Sequence, residues 1–581
     1  MKKSYDTILC LLEKCKTMAE LKQLHGVMIT TSVIKNIIPL SRIMDFCVSP
    51  ETGDVHYARS VFNQIAQPNN YICNSMIRGY SFSDTPIEGL IMYKGMLQMG
   101  ISPDNFTFPF VLKVCSVIGH HCYGRSVHNR IVKTGFELDV YASTALLHMY
   151  ACCSDMEAGL KAFDMVPKWN VVAWTSLISG LVNNNRFGEA IKAFRDMEDR
   201  DVKPNEITLV NVLVACARSK DLENGKWVHY RIRHLGYDPF KSNQNFNVIL
   251  ATAIVDMYAK CGNLKTAKDL FNNMPQKNSV AWNSMIAAYN QYGQGKDSLD
   301  LFLSMQIAEL VLPDQATFLG VLSACAHLGG LILGQCLHAY ISKTKWINDL
   351  AVGTALVDMY AKVGDPNSAW KIFDNLQKKD VKAWTSMILG FAIHGKGIEA
   401  LKTFETMQED GNNVVPDEIT YIGVLFACSH VGLADEGQRH FNEMRSVHGI
   451  VPTLEHYGCL VDLLSRAGRL KEAMSLVEEM PLQPNINIWG AILNGCEIYE
   501  NVDLADKVRN QITKLEPQAQ VSSGVYVLLS NIYAKAGKWQ EVNMARELMQ
   551  QNTINKTIGH SSVEMNLLMN FGKKAKNLSS D

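Results

Sequence analysis

The sequence lacks an excess of charge of either sign. Its 56 basic and 57 acidic side chains leave a formal net charge of −1 at pH 7. A protein that binds nucleic acid mainly through phosphates is usually strongly basic. Near-neutrality therefore favours either a protein-binding scaffold or a chain that recognises bases, with its basic side chains gathered locally in a groove.

Three further features are missing. No run of about 18 uncharged apolar residues occurs, so the sequence predicts no membrane partner. The 15 cysteines never form a Cys-x-x-Cys pair, which argues against a disulfide framework and a structural zinc site. A His-x-Glu motif is also absent. The sequence therefore predicts no cofactor, no metal and no catalytic residue.

What the chain does contain is a long internal repeat. An Ala-Trp pair ends at Trp174, Trp282 and Trp384, and Met-Tyr-Ala begins at residues 149, 257 and 359. Both landmarks recur at intervals of 108 and 102 residues. Cysteines end apolar segments at positions 115, 216, 325 and 428. Such regular self-similarity indicates one repeating unit of about 100 residues.

The unit at 70–170 divides into three smaller ones of 35, 35 and 31 residues, and the next unit has seven extra residues within 206–247. Each smaller unit has two apolar stripes. In 171–205, Trp174, Leu177, Ile178 and Leu181 lie on one helical face. After a break at 183–185, Ala190, Phe194 and Met197 form a second stripe. A lone helical hairpin cannot bury both stripes, so neighbouring hairpins must stack. The pattern predicts an all-α solenoid.

The motifs within these units resemble pentatricopeptide repeats of the plant P, L and S kinds. A P-like unit reads Tyr-Ile-Cys-Asn-Ser-Met-Ile-Arg-Gly-Tyr (71–80), an L-like unit Thr-Phe-Pro-Phe-Val-Leu-Lys-Val-Cys (107–115), and an S-like unit Thr-Ala-Leu-Leu-His-Met-Tyr-Ala (144–151). The tetratricopeptide pattern, with an early Trp, Leu-Gly and Tyr, does not fit these units. The resemblance implies a right-handed superhelical solenoid of helix-turn-helix repeats.

The resemblance also implies an order of domains. Residues 1–69 resemble a degenerate L-like and S-like pair, and 70–485 hold four P-L-S triplets. Residues 486–564 resemble the E region of this family, with one motif at 488–496, a second at 526–534 and a closing segment at 556–564. A short tail, 565–581, follows. This order is typical of the PLS class, E subgroup.

Members with this architecture are organellar RNA-editing factors, which implies that the partner is a single-stranded organellar RNA. The organelle would be the mitochondrion, with the chloroplast as the alternative. Many relatives carry a zinc deaminase domain with a His-x-Glu and Pro-Cys-x-x-Cys signature. Because this chain has neither motif, we expect the deaminase to be supplied in trans by a DYW-type partner, together with other editing factors.

The resemblance assigns base reading to two positions of each P-like and S-like unit. The fifth residue and the last residue would hydrogen-bond one base, so that one unit reads one base. The implied pairs are Asn74/Asp104, Thr144/Asn170, Thr175/Asn205, Thr252/Asn278, Asn283/Asp314, Thr354/Asp380 and Thr385/Asp417. By the family's rule, Asn with Asp favours uridine, Thr with Asn adenosine, and Thr with Asp guanosine. The alternative is that these residues only cap helices and turns.

Other recurring residues are expected to be structural. The L-like units have Pro109, Val210, Leu319 and Ile422 at the fifth position, which would serve as spacers. The recurring cysteines and tryptophans are in phase with the core stripe, although a tryptophan could also stack on a base. His128, His229 and His338 recur once per triplet without an obvious catalytic partner.

Two other functions stay open at this point. A tetratricopeptide-like protein scaffold would suit the neutral charge, whereas the in-phase polar pairs speak against it. A pentatricopeptide protein acting in RNA stability or splicing would suit the repeats, whereas the E-like segment speaks against it.

Overall fold

The structure, a computed structural model, describes residues 2–165, 170–240, 247–307, 311–409, 414–515 and 523–551. Two expected segments, the closing part of the E region at 556–564 and the tail at 565–581, lie outside the described residues. Within the described ranges, the chain forms 32 α-helices and two short 3-10 turns, with no β-strand. The expected all-α class is confirmed. The chain divides into two compact units, Met1–Lys277 and Asn278–Asp581.

The first unit holds sixteen of the described helices. They are α1 (Lys2–Lys14), α2 (Met18–Thr30), α3 (Ile37–Cys47), α4 (Val55–Phe62), α5 (Asn70–Tyr80), α6 (Ile87–Gln98), α7 (Thr107–Ile118), α8 (His121–Thr134), α9 (Val140–Cys152), α10 (Met156–Asp164), α11 (Val171–Asn183), α12 (Phe187–Asp199), α13 (Glu206–Ser219), α14 (Leu222–His234), α15 (Val248–Lys260) and α16 (Leu264–Asn272). The 3-10 turn Val33–Lys35 precedes α3.

The second unit holds the other sixteen described helices. They are α17 (Ser279–Gln291), α18 (Gly295–Ile307), α19 (Gln315–Leu328), α20 (Leu331–Ile341), α21 (Leu350–Val363), α22 (Pro366–Asn375), α23 (Val381–Ile393), α24 (Gly397–Glu409), α25 (Glu418–Val431), α26 (Ala434–Ser446), α27 (Leu454–Arg466), α28 (Leu470–Glu479), α29 (Ile486–Ile498), α30 (Val502–Leu515), α31 (Ser523–Lys535) and α32 (Trp539–Gln551). The 3-10 turn Lys345–Asn348 precedes α21.

From α5 onward, each odd-numbered helix opens a repeat and each even-numbered helix closes it. Within each compact unit, a first helix packs against its own second helix and against the first helix of the next repeat, as α7 does with α9 and α23 does with α25. Second helices pack mainly against the two helices next to them in the chain. The first helices therefore form a continuous row in each unit, the first-helix row.

Recurring glycines and methionines explain how successive repeats fit together. A Cβ added to Gly124, Gly225 or Gly334 would lie less than 3.0 Å from the Sδ atom of the methionine at 149, 257 or 359, respectively. A side chain at these glycines would therefore displace the end of the methionine side chain. The recurring methionines and these glycines form the two sides of one contact.

The structure confirms the core positions predicted for cysteine and tryptophan. Cys115, Cys216, Cys325 and Cys428 are fully buried, and burial raises the pKa of the thiols at 115, 216 and 428 to about 12. Trp174, Trp282 and Trp384 are at most 5% exposed. These tryptophans therefore pack in the core and are closed to base stacking. Within the described part of the chain, no cluster of His, Cys, Asp or Glu could hold a metal ion, and no helix could cross a membrane.

The recurring histidines pair with tyrosines. The Nδ1 atoms of His128, His229 and His338 lie 2.8, 3.1 and 3.1 Å from the hydroxyls of the tyrosines at 150, 258 and 360. Each of these pairs joins the second helix of an L-like unit to the first helix of the S-like unit that follows. The three recurring histidines therefore have a structural role. His25 lies 2.7 Å from the hydroxyl of Tyr57, but this tyrosine lies on α4, a second helix, so the contact is a different one.

We expect the His229 contact to make stability depend on pH. Burial first, and the nearby Arg233 second, lower the pKa of His229 from 6.5 to about 4. The unfolded chain then binds more protons than the folded chain between pH 4 and 6.5, so stability falls as pH falls through this window. The expected loss for His229 is about 2 kcal/mol between pH 8 and pH 5.

Urea unfolding at several pH values measures this loss, with H229Q as the test variant and a glutamine at the exposed His56 as the control. H229Q should reduce the decrease in the free energy of unfolding between pH 8 and pH 5, whereas H56Q should leave this decrease unchanged. An unchanged slope in H229Q would show that His229 does not contribute.

Candidate nucleic-acid interface

The last residue of each predicted pair caps a helix of the first-helix row. In each case, the side-chain Oδ1 atom accepts a hydrogen bond from the backbone N–H three residues later. These bonds measure 2.8 Å for Asp104, 2.9 Å for Asn170, 2.9 Å for Asn205, 2.9 Å for Asn278, 3.0 Å for Asp314, 2.8 Å for Asp380 and 2.8 Å for Asp417. The capping role considered from the sequence is thus real.

Capping leaves these residues able to read a base. The cap requires an oxygen, because its partner is an N–H donor, so this oxygen is always turned toward the helix. The second side-chain atom is not used by the cap. It is an acceptor oxygen in Asp and a donor nitrogen in Asn. Exchanging Asp for Asn therefore reverses the hydrogen-bond polarity offered at this point while the cap is kept.

In two P-like units the fifth residue is an asparagine that touches the last residue directly. Asn74 donates from Nδ2 to Oδ1 of Asp104 at 3.0 Å, and Asn283 does the same with Asp314 at 2.9 Å. Burial alone would raise the pKa of both aspartates, but hydrogen bonds from neighbouring side chains and backbone outweigh it and lower the pKa. Both carboxyl groups are therefore anionic acceptors at neutral pH.

In the other two P-like units a threonine connects the pair. The hydroxyl of Thr175 lies 2.6 Å from that of Thr208, which donates to Asn205 at 2.9 Å. The hydroxyl of Thr385 lies 2.7 Å from that of Thr420, which donates to Asp417 at 2.7 Å. The sequence reasoning assigned no role to the residues at 208 and 420.

The S-like pairs lack the buried threonine that contacts the pairs of the P-like units. Thr144 and Thr252 donate to the carbonyl oxygens of Val140 and Val248 in their own helices, both at 2.7 Å, as Thr175 of a P-like unit also does to Val171 at 2.7 Å. Thr354 reaches Asp380 only at 3.4 Å. The two residues of this S-like pair are therefore less firmly connected than those of a P-like pair.

Two cavities contain predicted reading residues. A cavity of about 720 Å³ in the first unit is lined by Asn74 and Asp104, together with Tyr71 and Arg78. In the second unit, a cavity of about 530 Å³ is lined by two complete pairs. These pairs are Thr354/Asp380 and Thr385/Asp417. The structure thus gathers these predicted residues around open space large enough for a planar base.

An exposed apolar side chain lies three positions before the fifth residue in many units. All eight of these side chains are more than half exposed, although they are large and apolar. They are Tyr71, Phe106, Tyr141, Val172, Ile207, Ile249, Val280 and Ile419. Lys382 occupies the same position in one P-like unit and departs from the pattern. An apolar surface beside each polar pair suits contact with the face of a base.

Basic side chains of the first-helix row are paired with acids in several S-like units. Lys260 and Lys362 each lie 2.8 Å from an aspartate one turn earlier, Asp256 and Asp358. Arg466 forms the equivalent pair at 2.8 Å. Because Asp358 and Lys362 line the 530 Å³ cavity, the wall of this cavity carries opposite charges side by side. This arrangement is consistent with the near-zero net charge and with recognition of bases over phosphates.

Comparison with known proteins decides the family. A pentatricopeptide repeat-containing protein of Arabidopsis thaliana is 56% identical over 566 residues, which cover 97% of this chain and 99% of that protein. The chain belongs to the pentatricopeptide repeat family. A mitochondrial member from Arabidopsis is 35% identical, with coverage of 97% and 86%, and a chloroplastic member is 36% identical, with coverage of 97% and 79%.

Family models place the pentatricopeptide motifs along the chain. The PPR repeat model matches residues 71–101, 250–279, 280–308, 354–381 and 382–412, and related repeat models match 169–218 and 448–481. The E motif matches residues 499–564. The predicted E region therefore contains this motif, and the segment at 488–496 precedes the match.

Solved structures show the same fold at low identity. Maize PPR10 gives a TM-score of 0.56 at 14% identity, with 92% of this chain and 82% of PPR10 covered. PPR10 in complex with an 18-nt psaJ RNA element gives 0.61 at 14% identity, with coverage of 94% and 87%. These likenesses confirm the pentatricopeptide repeat fold.

Within this fold, the structure adds candidates that the sequence reasoning missed. Ser41 donates to the carbonyl of Ile37 at 2.7 Å, as Thr144 does to Val140, and Asn69 caps α5 at 3.0 Å. Ser41 and Asn69 thus occupy the fifth and last positions of the repeat before residue 70. A hydroxyl residue on α3 followed by Asn69 was the signal available in the sequence.

Proposed function

We propose that this pentatricopeptide repeat protein binds one single-stranded organellar RNA by sequence and positions a cytidine in it for conversion to uridine. The deaminase is a separate DYW-type protein that docks, with other editing factors, on the E region. The observation that carries the proposal is the array of seven in-phase pairs, in which each last residue caps a helix through one side-chain atom and has a second polar atom beside the cap.

The chemistry of the pairs supports base reading over a purely structural role. A helix cap functions comparably well with Asp, Asn, Ser or Thr. The last residue of all seven pairs is Asp or Asn, the two residues that leave a second polar atom beside the cap. Cavities and exposed apolar side chains accompany them. PPR10 itself is known in complex with an 18-nt RNA, which supports RNA as the partner of this related fold.

Editing is favoured over RNA stabilisation or splicing by the E motif at 499–564. The protein scaffold alternative was suggested by the neutral net charge, and it is weakened because basic side chains beside the predicted reading pairs, such as Lys260 and Lys362, are paired with aspartates. Relatives include mitochondrial and chloroplastic proteins. The N-terminal segment and residues 559–564 resemble mitochondrial editing factor nineteen of plants, so we propose the mitochondrion, with the chloroplast as the alternative.

The pairs specify a sequence. Read from 5′ to 3′, the units at 70–485 correspond to U-n-A-A-n-A-U-n-G-G-n-n, followed by three free nucleotides and the target cytidine. Binding of this RNA should be compared with RNAs that differ by one base at each specified position. Loss of affinity at the seven specified positions alone would support the proposal, and equal affinity for all RNAs would refute it. Transcriptome-wide editing in a loss-of-function plant would then identify the site.

The isolated chain is expected to show no cytidine deaminase activity and no stoichiometric zinc, because the sequence lacks the ligands and the glutamate of the deaminase signature. Purified protein, assayed on the predicted RNA and by metal analysis, tests both points. A DYW-type deaminase protein assayed in parallel is the positive control. Conversion of cytidine by the chain alone would overturn the assignment of chemistry to a partner.

A further inference from the structure

Four threonines recur at one position of the fold. Each is the third residue of an L-like unit, so that it follows the last residue of a P-like unit by three positions. They are Thr107, Thr208, Thr317 and Thr420, and all four are fully buried. After three of the S-like units the residues at this position are alanines, Ala173, Ala281 and Ala383, and after the fourth the residue is Ile488. The hydroxyl is thus specific to P-like units.

Each of these hydroxyls is hydrogen-bonded to a reading residue. The Oγ1 atoms lie 2.8, 2.9, 3.0 and 2.7 Å from Oδ1 of the last residues at 104, 205, 314 and 417. In three units the same hydroxyl also contacts the fifth residue. It lies 2.6 Å from Thr175, 2.7 Å from Oδ1 of Asn283 and 2.7 Å from Thr385. In the P-like unit that begins at residue 70, Asn74 donates directly to Asp104.

The unit at 381–417 shows what this contact determines. Thr420 accepts the backbone N–H of Asp417 at 3.2 Å and donates its only proton to the Asp417 carboxylate. Its remaining lone pair can only accept, so the proton of the Thr385 hydroxyl must point toward Thr420. The oxygen of Thr385 then offers lone pairs alone to a base. In this unit the buried hydroxyl therefore determines the direction of the hydrogen bond that the fifth residue can make, whereas Thr175 donates to the carbonyl of Val171 in its own helix at 2.7 Å.

We propose that Thr107, Thr208, Thr317 and Thr420 are positioning residues for base selection, which hold the two reading residues of each P-like unit in one arrangement. None of the four contacts the base. The proposal rests on the proposed function, since it concerns how strictly a P-like unit selects its base. It also implies that P-like units discriminate bases more strictly than S-like units, where an alanine replaces the hydroxyl.

The test uses T420V, which keeps the shape of the side chain and removes its hydroxyl. The probe RNAs carry the predicted sequence with guanosine or adenosine at the tenth position, which Thr385 and Asp417 read. We expect the preference for guanosine to fall by about fivefold to tenfold, the value of one net hydrogen bond. Preferences at the other specified positions should not change. T420S, which restores the hydroxyl, should restore the preference.

T403V is the matched control. Thr403 is also buried and lies on α24 of the same repeat, but its hydroxyl donates to the carbonyl of Glu399 at 2.7 Å, away from the pair. It should lose stability as T420V does and keep the base preference. If T420V fails to fold, T208V is tested on RNAs with adenosine or uridine at the fourth position.

The outcomes separate this inference from the proposed function. If the wild-type protein shows no base preference, the proposed function itself is refuted. A wild-type protein with a preference that T420V retains in full would refute the positioning role alone. Equal weakening of both RNAs by T420V, with their ratio unchanged, would show that the threonine only holds the fold.

Discussion

Replacing Thr175 by Asn and Asn205 by Asp is expected to turn an adenosine-selecting unit into a uridine-selecting one. The change introduces the pair that Asn283 and Asp314 form, and it does so in a unit that already has the buried threonine, Thr208, in the place of Thr317. The aspartate introduced at position 205 would keep the cap through one oxygen and offer a second oxygen where the native asparagine has a nitrogen. The new pair therefore needs no rearrangement of the backbone.

A good base contact contributes about 1–3 kcal/mol of discrimination, so each preference should be tenfold or more. The ratio of the two dissociation constants should accordingly change by about 100-fold, from favouring adenosine to favouring uridine at the fourth position. Binding of two RNAs that differ at this base alone measures the ratio in wild-type and doubly changed protein. RNAs that vary at the fifth position, opposite an L-like unit, are the control. Equal weakening of both RNAs would mean that residues 175 and 205 hold the fold and do not read the base.

Removing residues 500–581 is expected to abolish editing in the plant while leaving RNA affinity nearly unchanged. The deleted segment contains nearly all of the E motif, and every predicted reading pair precedes it. The cut follows α29, because Ile488 and Ile492 of this helix are fully buried and α29 packs against α27. A cut before Ile486 would expose that core face and mix a loss of stability with a loss of docking.

A point variant separates a loss of docking from a loss of stability. Trp539 at the start of α32 is 66% exposed, so W539A should fold normally. If Trp539 belongs to the docking surface, W539A should lower editing without lowering RNA affinity. Editing of the target transcript in complemented plants and RNA binding in vitro are measured side by side for all variants. Full editing by the truncated protein would eliminate the E region as the docking site.

Much of the candidate site could be predicted from the sequence, because a repeat places equivalent residues at regular intervals along the chain. The spacing of Trp174, Trp282 and Trp384 defined the register, and this register selected the fifth and last residues of every unit. Helix caps follow local rules, so the position of Asp417 at a helix start was also predictable. The family's base rule came from resemblance alone, and the residue pattern by itself left capping as an alternative.

Contacts between helices could not be predicted from the sequence. Thr420 lies 35 residues from Thr385 in the chain, and only the packing of α25 beside α23 brings their hydroxyls to 2.7 Å. Nothing local distinguishes a threonine that caps its own helix from one that also touches a neighbouring repeat. The pairing of His229 with Tyr258 likewise depends on a helix crossing, which periodicity does not specify.

By itself, the sequence determined the helical class, the repeat length and the order of the predicted reading positions, because hydrophobic periodicity and caps act over a few residues along the chain. Only the tertiary structure decided which side-chain atom of each last residue accepts the capping hydrogen bond. It also decided that the buried threonines contact the predicted reading residues of the P-like units. The physical reason is that a hydrogen bond is sensitive to changes of a few tenths of an ångström in the distance between donor and acceptor. For side chains of different helices, this distance is set by packing.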